Sequence, residues 1–180
     1  MRKGAKLGSG TYGTVYEGRY EGRTYAIKRN KVGHDLTGIG SYREIDALSA
    51  LQKHPFITRV EFVFLQPPFE SMMSPIPEAD EQKDDIMHFA FPMAKHDLFR
   101  EIHGIGVKDY SEYHYFIAQM FLALEYMHSC GRIHRDIKPS NVLIFNNTGT
   151  DPGPSRVAIL GDFGMSKVFT YQGKETLGVS

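Results

Sequence analysis

In the first half of the chain, strand-forming aromatic and β-branched residues fall in short runs, which is the pattern of β-strands. The run TVYEGRYEGRTYAIKRN is rich in strand-forming residues, and Glu21–Gly22 predicts a turn that makes this run a hairpin. RVEFVFL and IMHFAFPMA predict two further strands, the second losing its regular pairing at Pro92. The proline-rich, acidic residues 66–85 show no period, so we expect an exposed loop between these two strands.

Two other segments carry apolar residues at helical spacing. In SYREIDALSALQKH this spacing predicts a helix that starts at Ser41 and ends at His54–Pro55. SEYHYFIAQMFLALEYMHS predicts a longer helix with an apolar stripe in the core, and Asp109 and Glu112 offer a capping pair at its start. The stripe comprises Tyr113, Phe116, Ile117, Met120, Phe121, Leu124 and Met127. Two short apolar strands, VLIF and RVAIL, are predicted on either side of a later turn-rich loop.

Composition narrows the range of partners and compartments. The 180 residues include 21 basic and 21 acidic side chains, so no net charge attracts nucleic acid or an acidic membrane. No apolar run approaches the roughly 18 residues of a membrane span, and the N-terminus lacks the apolar core of a secretory signal. The single cysteine, Cys130, excludes an intrachain disulfide framework and indicates a reducing compartment. We therefore expect a soluble intracellular protein, cytoplasmic or nuclear.

The stretch GSGTYG at Gly8–Gly13 is a candidate phosphate site. Its G-x-G-x-x-G spacing alone fits dinucleotide sites, ATP sites and ordinary turns. A dinucleotide-binding fold would begin a helix directly after the glycines, whereas strand-forming residues follow them here. We therefore expect the glycines to join two strands of a hairpin.

Phosphoryl transfer from ATP needs a flap over the phosphates, a cation beside them, oxygen ligands for Mg²⁺ and a group that orients the attacking hydroxyl. The chain offers a candidate for each, in this order. Residues 8–13 are the candidate flap, because glycine lets backbone amides approach phosphates closely. Lys28 in YAIK is a candidate cation, and HRDIKPSN provides Asp136 as a base and Asn141 as a metal ligand. Asp162 in DFG is a second candidate metal ligand.

The joint occurrence of GSGTYGTV, AIK, HRDIKPSN and DFG, in that order, resembles the eukaryotic protein kinase family. The resemblance runs from the glycine loop to a segment just past DFG. It implies an α+β, two-lobed fold, with residues 1–94 as a β-rich N-lobe and hinge and residues 95–180 as an incomplete helical C-lobe. It also implies ATP and Mg²⁺ as cofactors and a protein substrate.

The roles of the family's residues carry over to the matching positions by the same resemblance. Lys28 would pair the α- and β-phosphates of ATP, Asp136 would accept or orient the substrate hydroxyl, and Asn141 and Asp162 would hold magnesium. Lys138 in HRDIK matches a lysine that supports the γ-phosphate in serine/threonine kinases, so that acceptor class is favoured. Further ATP contacts would come from Gly8, Ser9, Gly10, Thr11, Tyr12, Gly13, Val15, Ala26, Phe91, Pro92 and Ala94.

Glu44 and His134 each allow two interpretations. Glu44 can close a capping box with Ser41, or it can pair with Lys28. It shares a helical face with the apolar Leu48, and a carboxylate on a buried face requires a cation, so we expect the pairing with Lys28 and a catalytic role. His134 can be an acid or base, but we expect a structural histidine packed under the catalytic loop.

Within the family, the Thr11-Tyr12 pair and the run Arg43-Glu44-Ile45 are similar to the cyclin-dependent kinase group. The helix start lacks the Pro-Ser-Thr-Ala-Ile run of that group, so a cyclin-like partner stays an open possibility. By the same resemblance, Thr11 and Tyr12 would be inhibitory phosphorylation sites, and Thr176 would accept an activating phosphate. Three basic residues would receive that phosphate: Arg43, Arg135 and Lys167.

The chain ends at ETLGVS, before the Ala-Pro-Glu motif and the helices that follow it in the family. We therefore expect a partial kinase domain. Three interpretations stay open: the ATP-binding portion of an active serine/threonine kinase, a truncated module that binds nucleotide or a regulatory partner without catalysis, and an incomplete gene product without a function of its own.

Overall fold

An antiparallel five-stranded sheet forms the N-terminal part of the computed structural model, which describes residues 2–10, 13–32, 36–65, 85–105, 110–147 and 154–169. The strand order is β1-β2-β3-β5-β4. The strands are β1 (Arg2–Gly10), β2 (Gly13–Tyr20), β3 (Arg23–Val32), β4 (Phe62–Leu65) and β5 (Asp85–Pro92). The strands predicted from the runs of strand-forming residues are therefore all present.

Two hairpins connect the first three strands. Between β2 and β3, Glu21 and Gly22 both have positive φ angles, 48° and 77°, which suits a tight two-residue turn between twisted strands. The β1–β2 hairpin encloses the glycine stretch, with Gly10 opposite Gly13, so the glycines join two strands as expected. Pro92 ends β5, also as expected, because it has no N–H for further pairing.

The predicted exposed loop at residues 66–85 is wrong at its C-terminal end. Asp85 is the first residue of β5 and stands opposite Val32 of β3, so it belongs to the sheet. The sheet pairing extends one residue beyond the apolar run that predicted the strand. Residues 66–84 lie outside the described part of the chain.

Helix α1 (Leu36–Leu51) begins five residues earlier than the apolar spacing predicted. Ser41 is therefore a buried residue inside the helix, and the capping box with Glu44 is wrong. The buried face of α1 includes Ala47, Leu48 and Leu51. These residues share one apolar cluster with Phe89 and Phe91 of β5 and with Met127, Leu160 and Phe163 from the second half of the chain. The core is thus continuous between the two parts.

The C-terminal part combines a long helix with short strands. Its elements are β6 (His96–Asp97), α2 (Leu98–Arg100), a π-helical turn (Glu101–Ile105), α3 (Tyr110–Ser129), β7 (Arg132–Ile133), a 3-10 turn (Pro139–Asn141), β8 (Val142–Asn146), β9 (Arg156–Leu160) and β10 (Lys167–Val168). The predicted strands VLIF and RVAIL are β8 and β9, paired antiparallel beside β6. The short elements β6, α2, β7 and β10 have too few residues to show a period, and the pattern did not predict them.

The predicted apolar stripe on α3 is only partly buried. Phe116 and Met127 are buried, but Ile117 is 54% exposed and Phe121 is 69% exposed. The buried face is rotated away from those two side chains and includes Gln119, whose Oε1 accepts the Ala158 N–H at 2.8 Å. A polar residue therefore occupies a core position because it satisfies a backbone donor of β9.

An ion network ties α2 and its π-helical extension to α3 and β9. Arg156 Nη1 donates to both carboxylate oxygens of Glu101 at 2.9 Å, and Nε donates to Glu112 at 3.0 Å. His96 Nε2 also contacts Oε2 of Glu101. Burial alone would raise the pKa of Glu101, but hydrogen bonds from Arg156 and His96 lower it overall. Glu112 thus pairs with Arg156, and its predicted capping partner Asp109 lies outside the described residues, so the capping pair stays a prediction.

Candidate active site

Lys28 lies at the centre of a charged cluster between β3, α1 and the DFG segment. Its Nζ is 2.7 and 2.9 Å from the two carboxylate oxygens of Glu44, and 2.8 Å from Oδ1 of Asp162. Lys28 and Glu44 are buried, whereas the Asp162 side chain is 37% exposed. Three residues that are up to 134 positions apart in sequence therefore meet at one point.

Strand alternation explains how β3 builds this cluster. Successive side chains of a strand point to opposite faces, so Lys28 and Asn30 share a face. Asn30 is buried, and its Nδ2 donates to Oε2 of Glu44 at 3.2 Å. The sequence motifs did not single out Asn30, although its spacing of two from Lys28 was the available signal.

The cluster holds one cation and two carboxylates, and its pKa values follow from that balance. Burial alone would lower the pKa of Lys28, but Glu44 and Asp162 raise it overall. Burial raises the pKa of Glu44 more than Lys28 lowers it. Burial would likewise raise the pKa of Asp162, but Lys28 outweighs this and lowers it. Lys28 is therefore a fixed cation, and Asp162 is an ionised carboxylate that reaches solvent.

The HRDIKPSN segment folds so that three of its side chains converge. Lys138 Nζ donates to Oδ2 of Asp136 at 2.7 Å, and Asn141 Nδ2 donates to the same oxygen at 3.0 Å and to the Asp136 carbonyl at 2.8 Å. Asn141 is buried at the end of the 3-10 turn, whereas Asp136 is partly exposed. An amide that donates through Nδ2 keeps its oxygen as an acceptor, so Asn141 retains a ligand atom.

Backbone strain is concentrated beside these side chains. Arg135 and Asp162 have φ angles of 68° and 58°, a left-handed conformation that costs free energy for residues other than glycine. Arg135 Nε donates to the Met165 carbonyl at 2.7 Å, which links the HRDIKPSN segment to the segment after DFG. Strained residues of this kind cluster at functional sites, because surrounding contacts must hold them in place.

His134 is a buried structural residue of this loop. One ring nitrogen, Nε2, lies 2.9 Å from the Gly161 carbonyl, and Nδ1 accepts the Asp136 N–H at 3.3 Å. Its ring also meets the Phe163 ring edge-on at 5.0 Å. Burial lowers the pKa of His134. The neutral Nε2–H tautomer satisfies both nitrogens, and a protonated ring would lose the acceptor for the Asp136 amide.

The glycine loop is a β1–β2 hairpin in which Gly8 stands opposite Val15 and Ser9 opposite Thr14. Gly13 has a structural reason to be glycine. A Cβ at this position would lie 2.2 Å from the Arg29 carbonyl oxygen and 2.5 Å from the Asn30 side chain. Thr11 and Tyr12 lie outside the described residues, as does Thr176.

The positions assigned to the adenine pocket lie on adjacent strands. Ala26 of β3 stands opposite Phe91 of β5, which is buried, and Tyr25 stands opposite Pro92. Ala94 lies between β5 and β6. A separate pocket of about 460 Å³ opens between residues 52–59 and the β8–β9 hairpin. It includes Pro92 but no side chain of the charged cluster, so we do not assign it to phosphate binding.

The donor atoms suit magnesium held together with nucleotide phosphates. Among the described residues, no group of three or more His, Cys, Asp or Glu side chains could hold a metal ion. Mg²⁺ usually takes one or two carboxylates, retained waters and substrate phosphates rather than an all-protein cage. Asp162 and the amide oxygen of Asn141 are oxygen ligands of that kind, so the residues present fit this mode of binding.

Comparison with known proteins decides the family. A model of the protein kinase domain matches residues 1–179. The chain belongs to the protein kinase domain family. The family resemblance predicted from GSGTYGTV, AIK, HRDIKPSN and DFG is confirmed, and the α+β, two-lobed kinase-like fold is confirmed with it.

Several curated kinases are similar to the chain over most of its length. "Probable cyclin-dependent kinase 10" of Dictyostelium discoideum is 34% identical over 171 residues, covering 92% of this chain and 40% of that protein. "Probable cyclin-dependent kinase 8" of the same organism is 31% identical, with 91% and 40% covered. Human "3-phosphoinositide-dependent protein kinase 1" is 30% identical, with 96% and 27% covered. The chain thus spans 40% or less of the length of these relatives.

Within the described residues, no helix is both long and apolar enough to span a membrane. The lobe boundary at residues 94 and 95 falls between the end of β5 and the start of β6 and stays a prediction.

Proposed function

We propose that this chain supplies the ATP-binding and phosphotransfer elements of a protein serine/threonine kinase. The observation that carries the proposal is the charged cluster, in which Lys28 Nζ lies 2.7 to 2.9 Å from carboxylate oxygens of Glu44 and Asp162. A buried lysine held between two acids is costly unless it serves an anionic ligand or the fold. Membership in the protein kinase domain family favours the first explanation, that Lys28 serves an anionic ligand.

Each side chain has a physical task in this proposal. Lys28, kept cationic and oriented by Glu44, binds phosphate oxygens of ATP. Asp162 and Asn141 would hold magnesium, and a bound magnesium ion would supply positive charge beside the phosphates. Asp136 orients the acceptor hydroxyl and takes its proton, and Lys138, already 2.7 Å from Asp136, offsets charge on the transferred group. The Lys138 position is also the reason to favour serine or threonine as the acceptor.

The glycine loop and the hinge would complete the nucleotide site. Backbone amides of Gly8–Gly13 cover the phosphates, and Val15 and Ala26 with Phe91 form apolar walls for the adenine. Pro92 keeps a carbonyl acceptor and Ala94 an N–H donor, which together suit a purine edge.

We also propose that this protein is regulated by phosphorylation in the way the resemblance to the cyclin-dependent kinase group implies. Arg43, Arg135 and Lys167 are exposed, as a phosphate-binding set must be before phosphorylation. We therefore retain Thr176 as an activating site and a cyclin-like subunit as a partner. Thr11 and Tyr12 remain the proposed inhibitory sites.

The test is phosphoryl transfer by the full-length protein to peptide libraries with serine, threonine or tyrosine as the only acceptor. We expect labelling of the serine and threonine libraries, abolished in Lys28→Met and Asp162→Asn because each loses a charge at the phosphates. Lys53→Met, an exposed lysine outside the cluster, is the matched control and should be unchanged. Full labelling by either cluster variant, or labelling of tyrosine alone, would contradict the proposal. Nucleotide binding without labelling would instead support a non-catalytic binding module.

A further inference from the structure

We propose that Asp46 and Arg132 are positioning residues whose ion pair holds helix α1 where Glu44 reaches Lys28. The pair joins two parts of the molecule, because Asp46 lies on α1 and Arg132 on β7, 86 residues later. We call this ion pair the clamp. Its effect on phosphoryl transfer rests on the proposed function, whereas its effect on the position of α1 does not.

The geometry of the pair is that of a two-pronged guanidinium–carboxylate contact. Arg132 Nη1 donates to Oδ2 of Asp46 at 2.5 Å, and Nη2 donates to Oδ1 at 3.1 Å. Such a fork fixes orientation as well as distance, which a single point contact does not. The hydrogen bond from Arg132 also lowers the pKa of Asp46, so the carboxylate stays ionised.

Arg132 depends on this partner more than Asp46 does. The Arg132 side chain is 12% exposed and the Asp46 side chain is 59% exposed. Among the described atoms, Arg132 Nε is buried without a hydrogen-bond acceptor, and both hydrogen bonds that the guanidinium donates go to Asp46. A buried guanidinium that loses its carboxylate is costly, which favours the position of α1 that keeps the contact.

The core packing of α1 does not require this contact. The buried face of the helix carries Glu44, Ala47 and Leu48, whereas Asp46 is exposed. The ion pair is therefore an addition to the apolar packing. Ser166 Oγ also donates to the Arg43 carbonyl of α1 at 3.4 Å, and at that length the hydrogen bond is weak.

The position of Asp46 makes the clamp act on the active site. Asp46 is two residues after Glu44, so the two are about 3 Å apart along the helix axis and move as one rigid unit. Arg132 is two residues before His134, at the start of the catalytic loop, and its strand pairs with β10 just after DFG. Holding Asp46 at Arg132 thus fixes Glu44 relative to Asp162 and the catalytic loop together.

The first readout measures the position of α1 without any activity assay. Cys130 is the only cysteine of the chain and is exposed beside β7, and Ser49 is exposed on α1. Spin labels on Cys130 and on the cysteine introduced by Ser49→Cys report the distance between β7 and α1, measured by double electron–electron resonance. The measurement uses the full-length protein, with any cysteine outside these 180 residues replaced by serine, carrying Asp46→Asn, Arg132→Gln or both. Glu61→Gln is the control, because it removes an exposed arginine–carboxylate ion pair between two residues just before β4, away from α1 and β7 (Arg59–Glu61, 2.7 Å).

We expect a single narrow distance in the parent and in Glu61→Gln, and a broadened or longer distribution in both single variants. The distance distribution of the double variant should be no broader and no longer than those of the single variants, because all three variants remove the same interaction. An unchanged distribution in Asp46→Asn and Arg132→Gln would overturn the clamp, as would a double variant whose effects simply add.

The second readout is phosphoryl transfer by the same variants. Without the clamp, Glu44 should reach Lys28 in only a fraction of the molecules. We therefore expect kcat to fall by roughly 3- to 10-fold, with less change in the KM for ATP. A kcat equal to that of Glu61→Gln would overturn the catalytic consequence. If the parent transfers no phosphoryl group, the proposed function fails while the distance measurement still decides the clamp.

Discussion

The Lys28–Glu44 contact gives the sharpest single prediction, because Glu44→Gln changes charge with almost no change in shape. The wild-type carboxylate offers two oxygens to Lys28 Nζ, at 2.7 and 2.9 Å. Glutamine keeps one acceptor, so one charge-assisted hydrogen bond and the opposite charge are lost. Lys28 keeps Asp162 as its counter-ion, 2.8 Å away. The lysine should then move toward the proposed metal ligand and away from the phosphates.

The magnitude follows from those contacts. A hydrogen bond to a charged group contributes about 1.5 to 3 kcal/mol, and breaking a buried ion pair costs about 3 to 5 kcal/mol. Because Asp162 remains as a counter-ion of Lys28, we expect the activation free energy to rise by about 2 to 3 kcal/mol, toward the lower end of these two estimates. This corresponds to about a 30- to 150-fold loss of kcat. Glu17→Gln, which removes an exposed partner of Arg19, is the control and should change kcat little.

The assay is initial-rate phosphoryl transfer by the full-length protein at saturating ATP, with thermal unfolding recorded on the same samples. A Glu44→Gln enzyme within about threefold of the parent, with Lys28→Met inactive, would refute the reasoning. It would show that Lys28 acts without needing Glu44 to orient it.

Three further predictions concern stability. Gly13→Ala should destabilise the protein by about 1 to 3 kcal/mol, because its Cβ would meet the Arg29 carbonyl at 2.2 Å. Gly8→Ala, with open space around the Cβ, should not, and equal unfolding midpoints for the two would contradict this account. Burial keeps the pKa of His134 in the folded protein below 6.5, the ordinary value for histidine, so the unfolded chain binds a proton first as the pH falls below 6.5. Stability should therefore decline from pH 6.5 downward, and His134→Gln should lack this part of the decline in unfolding midpoints measured at pH 7.5 and 5.5. Arg156→Met should cost about 3 kcal/mol in denaturant unfolding, because Glu101 stays buried without its main cation. A midpoint like that of the parent would show that the network is not stabilising.

Local patterns predicted the parts of the fold that depend on neighbours in sequence. The β2–β3 turn at Glu21–Gly22 and the end of β5 at Pro92 follow from backbone chemistry alone, and both are found. The start of α1 at Leu36 was missed, because Thr37 to Gly40 are poor helix formers that only the tertiary structure keeps helical. Ile117 and Phe121 were assigned to the core because spacing alone does not show which side of a broad apolar face is covered.

The site was predictable where its residues belong to motifs. Lys28, Asp136, Asn141 and Asp162 were all identified by their motifs, and the structure brings Lys28 to Asp162 and Asn141 to Asp136. Supporting contacts were not predictable in the same way. The Asp46–Arg132 contact and the Gln119–Ala158 hydrogen bond join residues far apart in sequence, and no local spacing encodes such a pair.

Magnesium-dependent nucleotide binding tests the central claim most directly. Isothermal titration of a non-hydrolysable ATP analogue into the full-length protein, with and without Mg²⁺, measures the contribution of the metal without requiring a known protein substrate. We predict that Mg²⁺ strengthens binding in the parent at least tenfold, about 1.4 kcal/mol, and that Asp162→Asn loses this gain while its unfolding midpoint stays near that of the parent. An identical gain in Asp162→Asn, or no gain in the parent, would contradict the assignment of the charged cluster around Lys28 to a Mg-ATP site.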